Sequence, residues 1–176
     1  PLKVNAQGGP LGSSNELRPT IADGESQEFT IEVPAGAQRL DVSIGNASDA
    51  AADLDLTVYR GDVQVAQQAD GDANEAISLA NPVAGTYTVV VDGYAVPSGS
   101  TAYDYLDVYY SPALGGVTVP STVVSLANGA STTITGTVTA TSVPPAGRKL
   151  FGEVAIVTDE GAVVGRAAVQ IGAVTE

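Results

Sequence analysis

Apolar residues recur at every second position through most of the chain, as in Phe29, Ile31 and Val33, then Leu40, Val42 and Ile44, then Leu54, Leu56 and Val58. A period of two places alternate side chains on opposite faces of an extended segment, so each run predicts a half-buried β-strand. The pattern continues through Ala76-Ile77-Ser78-Leu79, through Tyr87, Val89 and Val91, and through Leu106, Val108 and Tyr110. Clusters of Gly, Pro, Asn and Asp bound these runs, and no segment of helical length carries a 3.6-residue period. Short strands separated by turn signals such as Pro34-Ala35-Gly36 and Ala84-Gly85 predict an all-β fold of antiparallel sheets packed as sandwiches.

Residues 21–111 form the first predicted sandwich. After Ser111-Pro112 the tyrosines and the run of aspartates stop, and Gly115-Gly116 leads into a Val/Thr-rich tail, 112–176, read as a second, smaller sandwich. Its strands are expected around 117–126, 131–140, 149–158 and 162–171, with Asn128-Gly129 and Asp159-Glu160-Gly161 as the turns between pairs. A unit of about sixty residues buries only ~60% of its unfolded surface, so the tail is expected to lean on a neighbour. Residues 1–20 read as a linker or as a strand lent to that module through Leu2 and Val4.

Composition then removes whole classes of function. Twenty acidic residues against seven basic ones leave a net charge of -13 in 176 residues, which repels a phosphate backbone and excludes a nucleic-acid partner. There is no His and no Cys, so neither an imidazole base, a thiolate nor a zinc site of the usual kind can be assembled, and a Ser-His-Asp triad is impossible. No stretch approaches the ~18 apolar residues of a membrane-spanning helix. A chain that starts at Pro1 reads as a processed product or an excised piece of something longer.

Four motifs stand in order: Thr30-Ile31-Glu32-Val33-Pro34-Ala35-Gly36, Ala52-Asp53-Leu54-Asp55-Leu56-Thr57-Val58-Tyr59, Asn74-Glu75-Ala76-Ile77, and Ala84-Gly85-Thr86-Tyr87 running on to Tyr94. This set resembles the bacterial pre-peptidase C-terminal domain, and the tail resembles the fibronectin-III-like accessory domain that follows the catalytic domain of bacterial subtilisin-like proteases. The resemblance implies a jelly-roll-like sandwich followed by a small fibronectin-III/Ig-like one. It further implies a non-catalytic C-terminal region of a secreted subtilisin-like serine protease, with an upstream catalytic domain as partner. The expected work is attachment to a substrate or surface, or a part in secretion and maturation. Two alternatives stay open: a surface adhesin or carbohydrate-binding module with no protease attached, and a purely structural cap.

Two groups of side chains offer chemistry. Ten of the twelve aspartates lie between Asp41 and Asp107, and hard oxygen ligands in loops are what calcium needs. Within them Asp53 and Asp55 project from one strand face and are the candidate calcium ligands, because two adjacent carboxylates repel unless neutralised; the alternative is a pair of solvated surface acids, since two ligands fall short of the six to eight that calcium takes. Asp70-Gly71-Asp72-Ala73-Asn74 begins like an EF-hand loop, but its sixth position is Glu75 and its twelfth Asn81, so it fails as one. Five of the seven tyrosines lie between Tyr94 and Tyr110. With Leu106, Val108 and Tyr110 assigned to the core, Tyr103, Tyr105 and Tyr109 form a strip on the other face, either exposed as a candidate contact for an extended protein or polysaccharide or covered by the second domain or an upstream protease. Arg60-Gly61-Asp62 reads as a hairpin turn, and Asn46-Ala47-Ser48 as a lone sequon.

Overall fold

The computed structural model describes residues 1–174. From the N-terminus the strands are β1 (Leu2–Gln7), β2 (Gly9–Pro10), β3 (Gly12–Leu17), β4 (Thr20–Ala22), β5 (Ser26–Val33) and β6 (Arg39–Gly45). They continue with β7 (Asp53–Arg60), β8 (Val63–Gln68), β9 (Glu75–Ala80), β10 (Gly85–Ala95), β11 (Ser100–Ala102) and β12 (Asp104–Tyr110). A 3-10 turn at Pro112–Leu114 precedes β13 (Gly115–Thr118), β14 (Val124–Leu126), β15 (Thr137–Ala140), β16 (Lys149–Thr158) and β17 (Val163–Gln170). No α-helix occurs among the described residues, and the chain is all-β with antiparallel sheets. It divides into two compact units, Ser14–Tyr109 and Pro1–Ser13 together with the chain from Tyr110 onward.

In Ser14–Tyr109 one sheet runs β5-β10-β7-β8, and β3, β12, β6 and β9 are neighbours in that order in a second. The alternation read from sequence sets the faces. Tyr87, Val89 and Val91 of β10 turn inward with Ile31 and Val33 of β5 and Leu54, Leu56 and Val58 of β7, all buried. Leu40, Val42 and Ile44 of β6 and Ile77 of β9 are buried from the second sheet. Phe29 of β5 stacks on Tyr105 of β12, which fixes the two sheets face to face. Each such side chain, fully buried, contributes about 1.5–3 kcal/mol. Between β7 and β8 the turn is Gly61-Asp62, with Gly61 at φ 57, a conformation in which a Cβ is strained.

The other unit contains the ladder β14-β1-β16-β17 and the ladder β15-β13-β2. Its buried side chains include Val4, Ala6, Leu11, Val117, Leu150 and Val157. Tyr110 meets Phe151 edge to face at 6.3 Å, and Arg148 donates to the Ser13 hydroxyl at 2.7 Å and the Ser13 carbonyl at 2.8 Å. The expected strands 117–126 and 131–140 are shorter in the structure: 119–123 and 127–136 carry no strand. Asn128-Gly129 does make a turn, with Gly129 at φ 77, yet it joins no hairpin, because β14 pairs with β1 while β15 pairs with β13. Val and Thr favour extended backbone throughout this stretch, and only the partner strand decides where a ladder forms.

Candidate functional site

The tyrosine strip is not exposed. Tyr103 and Tyr105 are 0% and Tyr109 is 5% accessible, so the expectation of an aromatic ridge in water is corrected. The cause is burial on both faces of strand β12, with Tyr105, Asp107 and Tyr109 on one and Val108 and Tyr110 on the other. Strand β12 turns Tyr105 and Asp107 inward, while Leu106 on the opposite face is only half-buried. Tyrosine tolerates this because its hydroxyl finds partners: Tyr103 Oη donates to Gln27 Oε1 at 2.8 Å and Tyr105 Oη to Asp107 Oδ2 at 2.8 Å. Burial, followed by the charge of Glu25, drives the Tyr103 phenol further into its neutral form. These rings cannot stack on a sugar or a fibre. Of the five clustered tyrosines Tyr94 is the exposed one, at 73%.

Asp53 and Asp55 do share the face of β7 opposite the buried Leu54 and Leu56. Asp53 Oδ1 is buried and has no hydrogen-bond partner. Burial raises the pKa of Asp55, and the neighbouring charges of Asp53, Asp92 and Asp70 raise it further. A group of three carboxylates lies elsewhere: oxygens of Asp70, Asp72 and Glu75 come within 4.8 Å of one another. The loop that fails as an EF-hand folds through local bonds instead, from Asp72 N to Asp70 Oδ1, Asn74 N to Asp72 Oδ1, and Asp70 N to Glu75 Oε1 at 3.0 Å. Glu75 is buried and its pKa is raised, chiefly by that burial. The sequence places Glu75 at the start of a strand but carries no sign that the loop closes over it. The sequon is also engaged in the fold: Asn46 Nδ2 donates to Asp104 Oδ2 at 3.0 Å, and Arg18 donates to Asp104 Oδ1 at 2.7 Å. These two bonds lower the Asp104 pKa, that from Arg18 more.

The outer face of the sheet β5-β10-β7-β8 is polar and ordered in rows by the register. At one end Thr86 donates to Glu32 at 2.9 Å; at the other, Ser26 donates to Asp92. Gln67 donates to Thr57 at 3.2 Å across β7 and β8. Between these rows lies an open cleft of about 390 Å³, lined by Glu28, Tyr59, Gly61, Asp62, Thr88 and Val90.

A β-sandwich whose β5-β10-β7-β8 sheet presents a polar outer face is what these observations define for Ser14–Tyr109. Residues 25–93 match the family model of the bacterial pre-peptidase C-terminal domain, inside that unit. Over 88 residues the chain is 39% identical to Pyrolysin from Pyrococcus furiosus, a span of 49% of this chain and 6% of that protein. Among solved structures the chain is similar to the periplasmic g-type lysozyme inhibitor PliG of Aeromonas hydrophila, at 18% identity over 55% of this chain and 85% of that one, with a TM-score of 0.41. It is also similar to the propeptide form of the Bacillus licheniformis lipase BlEst2, at 14% identity over 89% of this chain and 40% of that one, with a TM-score of 0.41. Neither likeness bears on function.

Proposed function

We propose that this chain is a non-catalytic accessory region of a secreted bacterial subtilisin-like serine protease, and that it holds the enzyme on its protein substrate or on a surface. The observation that carries the reading is the match of residues 25–93 to a pre-peptidase C-terminal domain in a chain without a single histidine. Similarity to Pyrolysin over the same region supports a protease as parent. Peptide hydrolysis by a serine nucleophile needs a general base, and nothing in this sequence supplies the imidazole that a subtilisin-like triad uses. The four-strand and three-strand ladders of the other unit support reading that unit as a fibronectin-III-like module.

The protein encoded around this chain tests the reading. It should carry an upstream domain with an Asp, His and Ser triad. Deleting residues 14–109 should reduce its hydrolysis of insoluble protein several-fold while leaving turnover of a short chromogenic peptide unchanged. An upstream sequence without a triad, or equal hydrolysis of insoluble protein after the deletion, would refute it.

A further inference from the structure

We infer that the cleft on the outer face of the β5-β10-β7-β8 sheet is a subsite for an arginine side chain of an extended protein segment. The inference names the substrate chemistry for the attachment role and rests on that reading for its use. Its first support is the hydrogen-bond pattern. The rows flanking the cleft are self-paired, Thr86 with Glu32 and Ser26 with Asp92. The polar groups of the cleft itself are not: Glu28, Asp62, Tyr59 and Thr88 make no side-chain bond or ion pair with any described residue. Four polar side chains without a partner among the described residues thus line one open, solvent-facing hollow and are available to a ligand.

Their chemistry selects the ligand. Glu28 and Asp62 are acceptors only when ionised, the hydroxyls of Tyr59 and Thr88 can accept as well, and no Lys or Arg lines the cleft. Thr88 stands directly across from Tyr59, and Val90 directly across from Glu28, so the lining spans β5, β10 and β7 with Asp62 at the hairpin tip. Two strand spacings separate Glu28 from β7, roughly 10 Å, a gap that a planar five-donor guanidinium on a long stem can bridge. The Tyr59 ring adds a face on which that plane can stack. A phosphate or carboxylate would meet two like charges there.

Charge over the whole unit points the same way. Sixteen of the twenty acidic residues but three of the seven basic ones fall in Ser14–Tyr109, so this unit carries the chain's entire net charge of -13. Two of those three bases are spent on acids away from the cleft, Arg18 on Asp104 and Arg39 on Asp41. Such a surface steers a basic segment toward itself, and the cleft offers it a place to dock.

The test is a titration of the full chain, labelled with 15N, with the peptide acetyl-Gly-Arg-Gly-Arg-Gly-amide and with its citrulline isostere. The arginine peptide should give saturable shifts at the amides of Tyr59, Gly61, Asp62 and Thr88, and the neutral isostere should bind about tenfold more weakly or worse. The double variant Glu28→Gln with Asp62→Asn should weaken binding by about tenfold, whereas Glu32→Gln with Glu160→Gln, which removes the same charge elsewhere, should stay within about twofold. Equal binding of citrulline, equal loss in the two double variants, or no saturable shift would overturn the inference. Retention of the parent protease on insoluble protein without arginine binding would remove this subsite and leave the attachment reading standing. Arginine binding without retention would do the reverse.

Discussion

Tyr105 lies almost flat against Phe29, ring centroids 4.0 Å apart and planes at 23°, while its hydroxyl donates 2.8 Å to Asp107 Oδ2 in full burial. One side chain thus joins two sheets and satisfies a buried carboxylate. Tyr105→Ala should cost about 3–5 kcal/mol, since it removes a core ring and leaves a cavity. Tyr105→Phe keeps the ring and removes only the donor, and should cost about 1–3 kcal/mol. Urea denaturation of both variants checks the order; a Tyr105→Ala chain as stable as the parent would contradict a core position.

This strand also shows where sequence stops being informative. On β5, β6, β7 and β10 one face is buried and the other, Thr57 of β7 apart, is more open to water, so alternation names the core residues directly, as with Ile31, Val42, Leu56 and Val89. On β12 Tyr105, Asp107, Val108, Tyr109 and Tyr110 are all buried, and a strand covered on both faces loses the contrast that alternation needs. Polarity then misleads, because it argues that Leu106 is inside and tyrosine outside. Clefts and loop closures are illegible for a different reason. Glu28, Tyr59, Asp62 and Thr88 lie on three strands and a turn, and only the register brings them together.

The raised pKa of Asp55 makes a pH prediction whose sign is fixed by linkage. A carboxyl that binds its proton more tightly when folded than when unfolded destabilises the fold once ionised. Stability from this group is therefore fully present below the unfolded pKa and is lost as pH rises from there through the raised folded one. Asp55→Asn should raise the melting midpoint at pH 7, and the gain should fade as the pH falls toward 4. Melts of both chains across that range decide it. A gain independent of pH would assign the effect to packing.

Glu75 behaves differently because its charge is tied to a backbone donor. Its Oε1 accepts from Asp70 N at 3.0 Å, while burial and the charges of Asp70 and Asp72 raise its pKa. Glu75→Ala should cost about 1–3 kcal/mol by orphaning that N–H. Glu75→Gln keeps an acceptor and removes the repulsion, so it should be neutral or stabilising at pH 7. Equal losses in the two variants would mean that the charge itself holds the 70–75 loop.

Gly115 has φ 117, and a Cβ there would stand 1.9 Å from the Thr139 carbonyl oxygen of the paired strand. Gly115→Ala must strain the backbone and push β15 off β13, a loss of at least about 2 kcal/mol. Gly129 makes the matching control: φ is 77, but open space surrounds its Cβ position, so Gly129→Ala should carry only a conformational penalty of about 1 kcal/mol. Chemical denaturation of both variants should show the larger loss at Gly115, and equal losses would mean that β15 yields freely.

The fragment 112–176 should not fold alone, and the register says why. Strand β1 lies between β14 and β16, pairing Val4 with Val124 on one side and with Thr158 on the other. Strand β2 pairs Gly9 with Val117, and Leu11 is wholly buried. Cutting away residues 1–13 therefore removes an interior strand rather than an edge, leaves β14 without a ladder, and opens the core where Leu11 sat. An edge strand can be lost with its neighbours still paired; an interior one cannot, because its backbone satisfied donors and acceptors on both sides. The fragment should show no cooperative melt and no dispersed amide spectrum. A synthetic peptide of residues 1–13 added in trans should restore both, since it resupplies β1, β2 and Leu11 together. A cooperative, monomeric melt of 112–176 by itself, comparable to that of the whole chain, would show that the remaining strands close without β1 and would defeat the prediction.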